Sequence, residues 1–292
     1  MAAGFSSLRA LVQRQGDDGA NVITSFRKSP TVVTSTGYWM DLAMSPGNPK
    51  PIYYASSPLV ASAMSFANDG GIFAGGAVSP SKKVLRQMMA LSVTAGSVPL
   101  TLKLCDYLLY YPFIDEAELG IVQVLTNTQT LPRYTTGEGV QMMAVVTAPH
   151  TAAGPTFNVS YTNQAGVAGR TSGTATFGAQ VVNGTILTSA PATAGCIGAF
   201  LPLQVGDTGV RSVESVTIQT VGDVGLFTLV LVKPIADVCL RGVDAPSEVD
   251  YFKDQGGQMP VIEDGASLNF IALAAGNLTG TTIHGLASFT WS

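Results

Sequence analysis

The amino-acid sequence predicts a mainly β protein: an antiparallel β-sandwich, jelly-roll-like in its connections, behind an extended N-terminal arm that contains one short helix. Three observations predict it. About nine short apolar or alternating runs follow residue 82, separated by turn residues, which is the pattern of a sandwich. The run "TFNVSYTN" (156–163) alternates Phe157, Val159 and Tyr161 with Asn158, Ser160 and Thr162, the period-two signature of a strand with one buried face. Helical spacing is found in one place, near the N-terminus.

That place is "FSSLRALVQRQ" (5–15). It sets Phe5, Leu8, Leu11 and Val12 on one stripe, with Ser6 or Ser7 as the cap and Gly16 as the stop. The chain to residue 80 is then punctuated by Gly, Pro, Ser and Asn, as in "MSPGNPKPIYYASSP" and "FANDGGIFAGGAVSPS". Such composition favours extended segments and turns, either an arm that wraps a neighbour or loops folded onto their own domain. The expected organisation is therefore residues 1–80 as helix and arm or loops, and 81–292 as a β-sandwich domain with room for two sub-sheets. Within it, "KKVLRQMMALSVTA" and "LTLKLCDYLLYYP" flank Gly96-Ser97-Val98-Pro99 and read as a hairpin or as two sequential strands. Further strands are expected at 140–148, 199–205, 213–220, 225–232 and 267–275 and in the terminal "TTIHGLASFTWS". The run "GLFTLVLV" is expected to end at Lys233-Pro234.

Composition narrows the function. The 292 residues are 46% hydrophobic and only 12% charged, about half the charge of an ordinary soluble domain. Much of the surface should be neutral, as expected of a chain that buries surface in an oligomer or lattice. No apolar run reaches the length of a membrane-spanning helix, and "MAAGFSSLRALVQRQ" does not read as a signal peptide. Cys105, Cys196 and Cys239 are far apart and odd in number. Buried free thiols are expected, with neither disulfides nor zinc.

Charge is uneven. Bases prevail in the first hundred residues and acids prevail from 235 to 265. Opposite patches would steer neighbouring subunits; the alternative is ordinary solvated loops. Basic residues are too sparse for nucleic-acid binding.

Chemistry is hard to find. His150 and His284 are the only histidines, so a triad would need one of them as base. No nucleophile elbow, phosphate loop, dinucleotide fingerprint or zinc motif accompanies them. The acids of "FIDEAELG" (113–120) and "APSEVDYFKD" (245–254) lack calcium-loop order and read as solvated turns. Trp39, Tyr53, Tyr54, Tyr107, Tyr110 and Tyr111 read as core and interface anchors, or alternatively as a sugar-stacking platform. The sequence assigns no catalytic, cofactor-binding or metal-binding residue and no cofactor, and it predicts a protein that is not an enzyme.

Several stretches carry a resemblance: "GGAVSPSKKVL" (75–85), "LLYYP" (108–112), "RYTTGEGV" (133–140), "YTNQAGVAGR" (161–170) and "FLPLQVGDTGVRSVESV" (200–216). They resemble segments of a group of structural proteins of tailed bacteriophages, over most of the chain. The resemblance implies a virion component assembled in the bacterial cytoplasm, whose partners are capsid subunits and further copies of itself. Joined to the neutral surface, it leads to the expectation of a cement or decoration protein of the head. A major capsid or tail structural protein is the alternative, and a carbohydrate-binding receptor module is a second.

Overall fold

The computed structural model describes residues 5–34, 36–151, 154–178, 182–191, 193–220 and 222–292. In chain order the first elements are α1 (Leu8–Gly16), β1 (Asn21–Lys28), β2 (Trp39–Asp41), β3 (Gly47–Asn48), β4 (Ser62–Ala63) and α2 (Phe66–Asp69). Then come β5 (Lys83–Ser92), β6 (Leu100–Asp115), β7 (Val122–Val124), β8 (Gln141–Ala148), β9 (Thr156–Asn163), β10 (Arg170–Thr171) and β11 (Ala175–Thr176). The last are β12 (Val210–Thr220), β13 (Leu226–Leu240), β14 (Ser247–Asp250), α3 (Tyr251–Asp254), β15 (Val261–Ile262), β16 (Ser267–Ala274) and β17 (Ile283–Trp291).

These strands form three sheets. The central one runs β2-β16-β6-β13-β8, with β4 also on β6. A second runs β14-β5-β17-β1-β3 with β15 on β5, and a third runs β10-β9-β12-β7 with β11 on β9. All the strand pairings are antiparallel. Antiparallel, sandwich-like packing is thus as expected. Jelly-roll connections do not follow from these sheet orders.

The length of β6 and β13 explains the architecture. Each outruns an ordinary strand of five or six residues, so the two can serve two cores in succession. Leu100, Leu102, Leu104, Ala236, Val238 and Leu240 pack with Leu85, Met88, Ala287 and Phe289 of the second sheet. Further along the same strands, Leu108, Tyr111, Ile114, Phe227, Leu229 and Leu231 pack with Phe157, Val159, Tyr161, Val213 and Val216 of the third. The intervening Cys105, Tyr107, Val230 and Val232 belong to another cluster, closed by Ile52, Tyr54, Met64, Ile186 and Ala199 from loops. Because both faces of the central sheet are covered, β6 is buried continuously from Leu104 to Pro112. Continuous burial explains why that strand lacks alternation in sequence.

Local chemistry shapes individual strands. The strand predicted to stop at Lys233-Pro234 instead runs through it to Leu240. Strand β8 accompanies β13 only as far as Val232, so Pro234 faces one neighbour, and the ladder shifts register between Pro234 and Ala236. Proline is tolerated there because its missing N–H falls at a bulge beside an open edge. Gly285 lies inside the second sheet, where an added Cβ would strike Met89 O and the Phe26 ring. The close approach of Phe26 therefore requires glycine.

Other expectations are corrected. Strands β5 and β6 are sequential but lie in different sheets, so they make no hairpin. Residues 199–205 form no strand; Leu201 instead plugs a core from an irregular segment. Helix α1 starts as predicted, with Ser7 Oγ accepting from Ala10 N at 3.1 Å. Its stripe is buried only in part, since Leu11 is covered while Leu8 and Val12 are exposed. The described residues of 21–80 are loops, short strands and the short helix α2, laid on the same body: β1 pairs along its whole length with β17.

Candidate functional site

The residues singled out from sequence do not converge. His284 lies half-buried in β17, opposite Arg27 and Leu91. His150 is buried after β8, at the far end of the central sheet. Cys105 is buried as expected, but Cys196 is only partly covered and Cys239 is exposed. Cys239 sits near the end of β13, where alternation turns it outward. No cluster of three or more metal-ligating side chains occurs among the described residues, and no helix among them is long and apolar enough to cross a membrane.

The uneven charge is used in part within the chain. Lys83 Nζ meets Asp264 Oδ1 at 3.1 Å, Arg86 pairs with Asp250, and Lys103 Nζ meets Asp237 Oδ1 at 2.6 Å. Lys83, Arg86 and Lys103 thus neutralise three of the acids of 235–265 within the chain. The aromatic residues divide in the same way. Tyr54, Tyr107, Tyr110 and Tyr111 are buried and Trp39 is partly buried, while Tyr53 remains exposed. Tyr54 and Tyr107 hydroxyls both donate to the buried Asp41 carboxylate, Tyr107 at 2.6 Å. A groove of about 360 Å3 between Asn127, Thr135 and Arg211 has no aromatic ring in its lining. It offers a sugar no stacking face.

Two places stand out. The first is the edge of the third sheet. Strand β7 is its end strand, and the exposed Leu119, Ile121, Val122 and Val124 lie along it and its approach. From Leu119 to Pro132 no residue is charged. Other edges are protected: β14 carries Glu248 and Asp250, β3 is flanked by Pro46 and Pro49, and β10 holds Arg170. Charge, proline and shortness are the usual means by which an edge avoids pairing with other chains; β7 has neither charge nor proline, and only its three-residue length and the pairing of Thr126 with the segment at 59–61 limit it.

The second place is internal and was missed in the sequence. Glu116, expected in a solvated turn, is fully buried just past the end of β6. Neither carboxyl oxygen has a hydrogen-bond partner, and neither does His150 Nδ1, which lies 3.8 Å from Glu116 Oε2. His150 Nε2 donates to Gly178 O at 2.8 Å, because a carbonyl only accepts. Gly225 makes the approach possible: at φ +134° its absent Cβ would lie 3.0 Å from His150 Cβ and 3.2 Å from Glu116 Cδ. Burial, with the charges of Asp223 and Asp115, pushes the Glu116 carboxyl up to about 8.

Lys28 and Asp41 form a third buried arrangement with a structural role. Lys28 Nζ donates to Ser45 O and Pro49 O, and burial lowers its ammonium to about 8 despite Asp41. Burial in turn raises Asp41 against the hydroxyls of Tyr107 and Tyr54. The arrangement ties the loop at 45–49 to β1.

No family model matches the chain, and neither the curated proteins nor the solved structures yield a match.

Proposed function

We propose that this chain is a non-enzymatic structural protein of a tailed-bacteriophage virion, assembled in the bacterial cytoplasm, which binds the head shell as a cement or decoration protein. Its partners on this reading are capsid subunits and further copies of itself. The supporting observation is the uncharged edge at β7, where Leu119, Ile121, Val122 and Val124 are exposed together. An isolated protein gains nothing from leaving such an edge open. A protein that completes its surface on a neighbour gains the burial of these side chains, about 25 cal/mol per Å2 of apolar area. The low overall charge and the resemblance to phage structural proteins point the same way. The mechanism is mechanical: apolar and neutral polar surface is buried between shell subunits and the shell resists disruption.

Cryo-electron microscopy of the virion that contains the chain tests this reading. Density on the outside of the shell, in many symmetric copies and with β7 against a neighbour, is the expected result. Density confined to the tail would overturn the cement role and favour a tail component. Closed shells formed by the purified chain alone would make it the major capsid protein. For a carbohydrate-binding receptor the one remaining place among the described residues is a shallow pocket of about 210 Å3 where Tyr53, Tyr54 and Tyr110 meet, and of these rings Tyr53 is exposed while Tyr54 and Tyr110 are buried.

A further inference from the structure

Glu116 and His150 present an arrangement that packing alone does not require. Both side chains are fully buried, yet three of their polar atoms make no hydrogen bond. An unsatisfied buried polar group costs about 1–3 kcal/mol, and more when charged. The charges that face Glu116 are Asp223 and Asp115, both acids. On the other side His150 meets the Gly178 carbonyl and the Phe177 ring, whose centroid is 5.9 Å away. Among the described residues no positive group compensates a carboxylate at this position, so the neutral acid is the form that fits.

The proton inventory follows from the fixed tautomer. His150 Nε2 carries hydrogen toward Gly178 O, which leaves a lone pair on Nδ1 when the ring is neutral. Protonated Glu116 faces that lone pair with an O–H across 3.8 Å, and an approach of about 0.6–1 Å, within the reach of a side-chain rotation, makes this a hydrogen bond of ordinary length. We propose that Glu116 and His150 form a proton-operated latch, closed while one proton lies between Oε2 and Nδ1 and released when that proton is lost to solvent. Without it, a carboxylate faces a lone pair and two further acids, and the segment at 149–151 moves away from Gly178. Release uncovers the ring cluster directly beneath, in which Phe177 lies 5.2 Å from Phe157 and 5.8 Å from Phe227.

The direction of the pH effect is set by where the proton goes. In the closed state Glu116 keeps its proton up to about 8; in the open state the solvated carboxyl has already lost it. Opening therefore grows more favourable with rising pH, by at most about tenfold per unit, and levels off above about 8.

Hydrogen exchange of the full chain measures the opening. The exchange of the amides of His150, Thr151, Phe177 and Gly178 is compared between the natural protein and Glu116→Gln at the same pH, so that intrinsic exchange rates cancel. The expected result is a ratio that rises several-fold from about pH 6.5 to about pH 8 and then becomes constant, because glutamine has no proton to lose. A ratio that stays flat across this range overturns the proposal. The infrared carbonyl band of a protonated carboxylic acid provides a second measurement on the natural protein, should the variant not fold. A buried acid band that disappears near pH 8 is expected, and its absence at neutral pH overturns the latch.

Discussion

Asp106 and Glu116 are both fully buried acids, one within β6 and the other just beyond its end, and their surroundings differ completely. Asp106 accepts from Arg133 Nε at 2.8 Å and Nη2 at 2.7 Å, and from Ser267 N at 3.0 Å. Arg133 also donates to Met64 O and Tyr107 O. Four of the five Arg133 N–H donors and both Asp106 oxygens are thus engaged, close to what a buried ion pair requires if it is not to weaken the fold. Glu116 has an unpartnered imidazole nitrogen 3.8 Å away and two further acids nearby. The first arrangement fixes a loop against the central sheet, and the second leaves a group whose protonation decides whether the end of the sheet stays closed. Burial alone therefore does not reveal what an acid does; the supply of donors does.

The largest test breaks the satisfied side. Arg133→Ala leaves Asp106 charged and buried, and chemical denaturation should show a loss of about 3–5 kcal/mol. Glu116→Gln should cost less than about 1 kcal/mol at neutral pH, since an uncharged group already fits there. Equal losses for the two variants would remove the distinction between the sites. Tyr107→Phe comes next: it takes one donor from Asp41 and should cost about 1–3 kcal/mol, seen as a lowered denaturation midpoint with an unchanged slope.

The pH profile sharpens the comparison. Glu116 has its folded-state value raised from 4.5 to about 8. The folded state then binds more protons than the unfolded one in that interval, so stability falls as pH rises, at most about 1.4 kcal/mol per unit. Lys28 has its value lowered from 10.5 to about 8. Here the unfolded state binds more protons, so stability rises as pH goes from about 8 toward the ordinary lysine range. Equilibrium unfolding over pH should show Glu116→Gln removing the fall and Lys28→Met removing the rise. The smallest effect on stability belongs to the sheet edge. Val124→Lys should change unfolding by no more than about 0.5 kcal/mol while abolishing shell binding, and retained binding would remove β7 from the proposed interface.

Much of the scaffold was legible because strands declare themselves by spacing. The alternation of Phe157, Val159 and Tyr161 appears as β9 with those side chains buried, and Ser7 caps α1 as its position suggests. The run at 199–205 misled because its apolar residues plug a core from a loop, and a short apolar run looks the same in either role. Glu116 misled more deeply. An acid between Asp115 and Ala117 looks solvated, and only closure by His150 and Gly225, far along the chain, buries it.

By itself the sequence determined the mainly β character, the positions of most strands, the capped helix and the scarcity of charge, all of which follow from local periodicity and composition. Tertiary structure decided that β5 and β6 part into different sheets, that β13 passes through Pro234, and that β7 ends a sheet with exposed apolar side chains. It also decided which acids are satisfied and which are not. The physical reason is that local pattern shows which side of a strand avoids water, whereas the partner that meets it, or leaves it unmet, is set by long-range pairing and close packing.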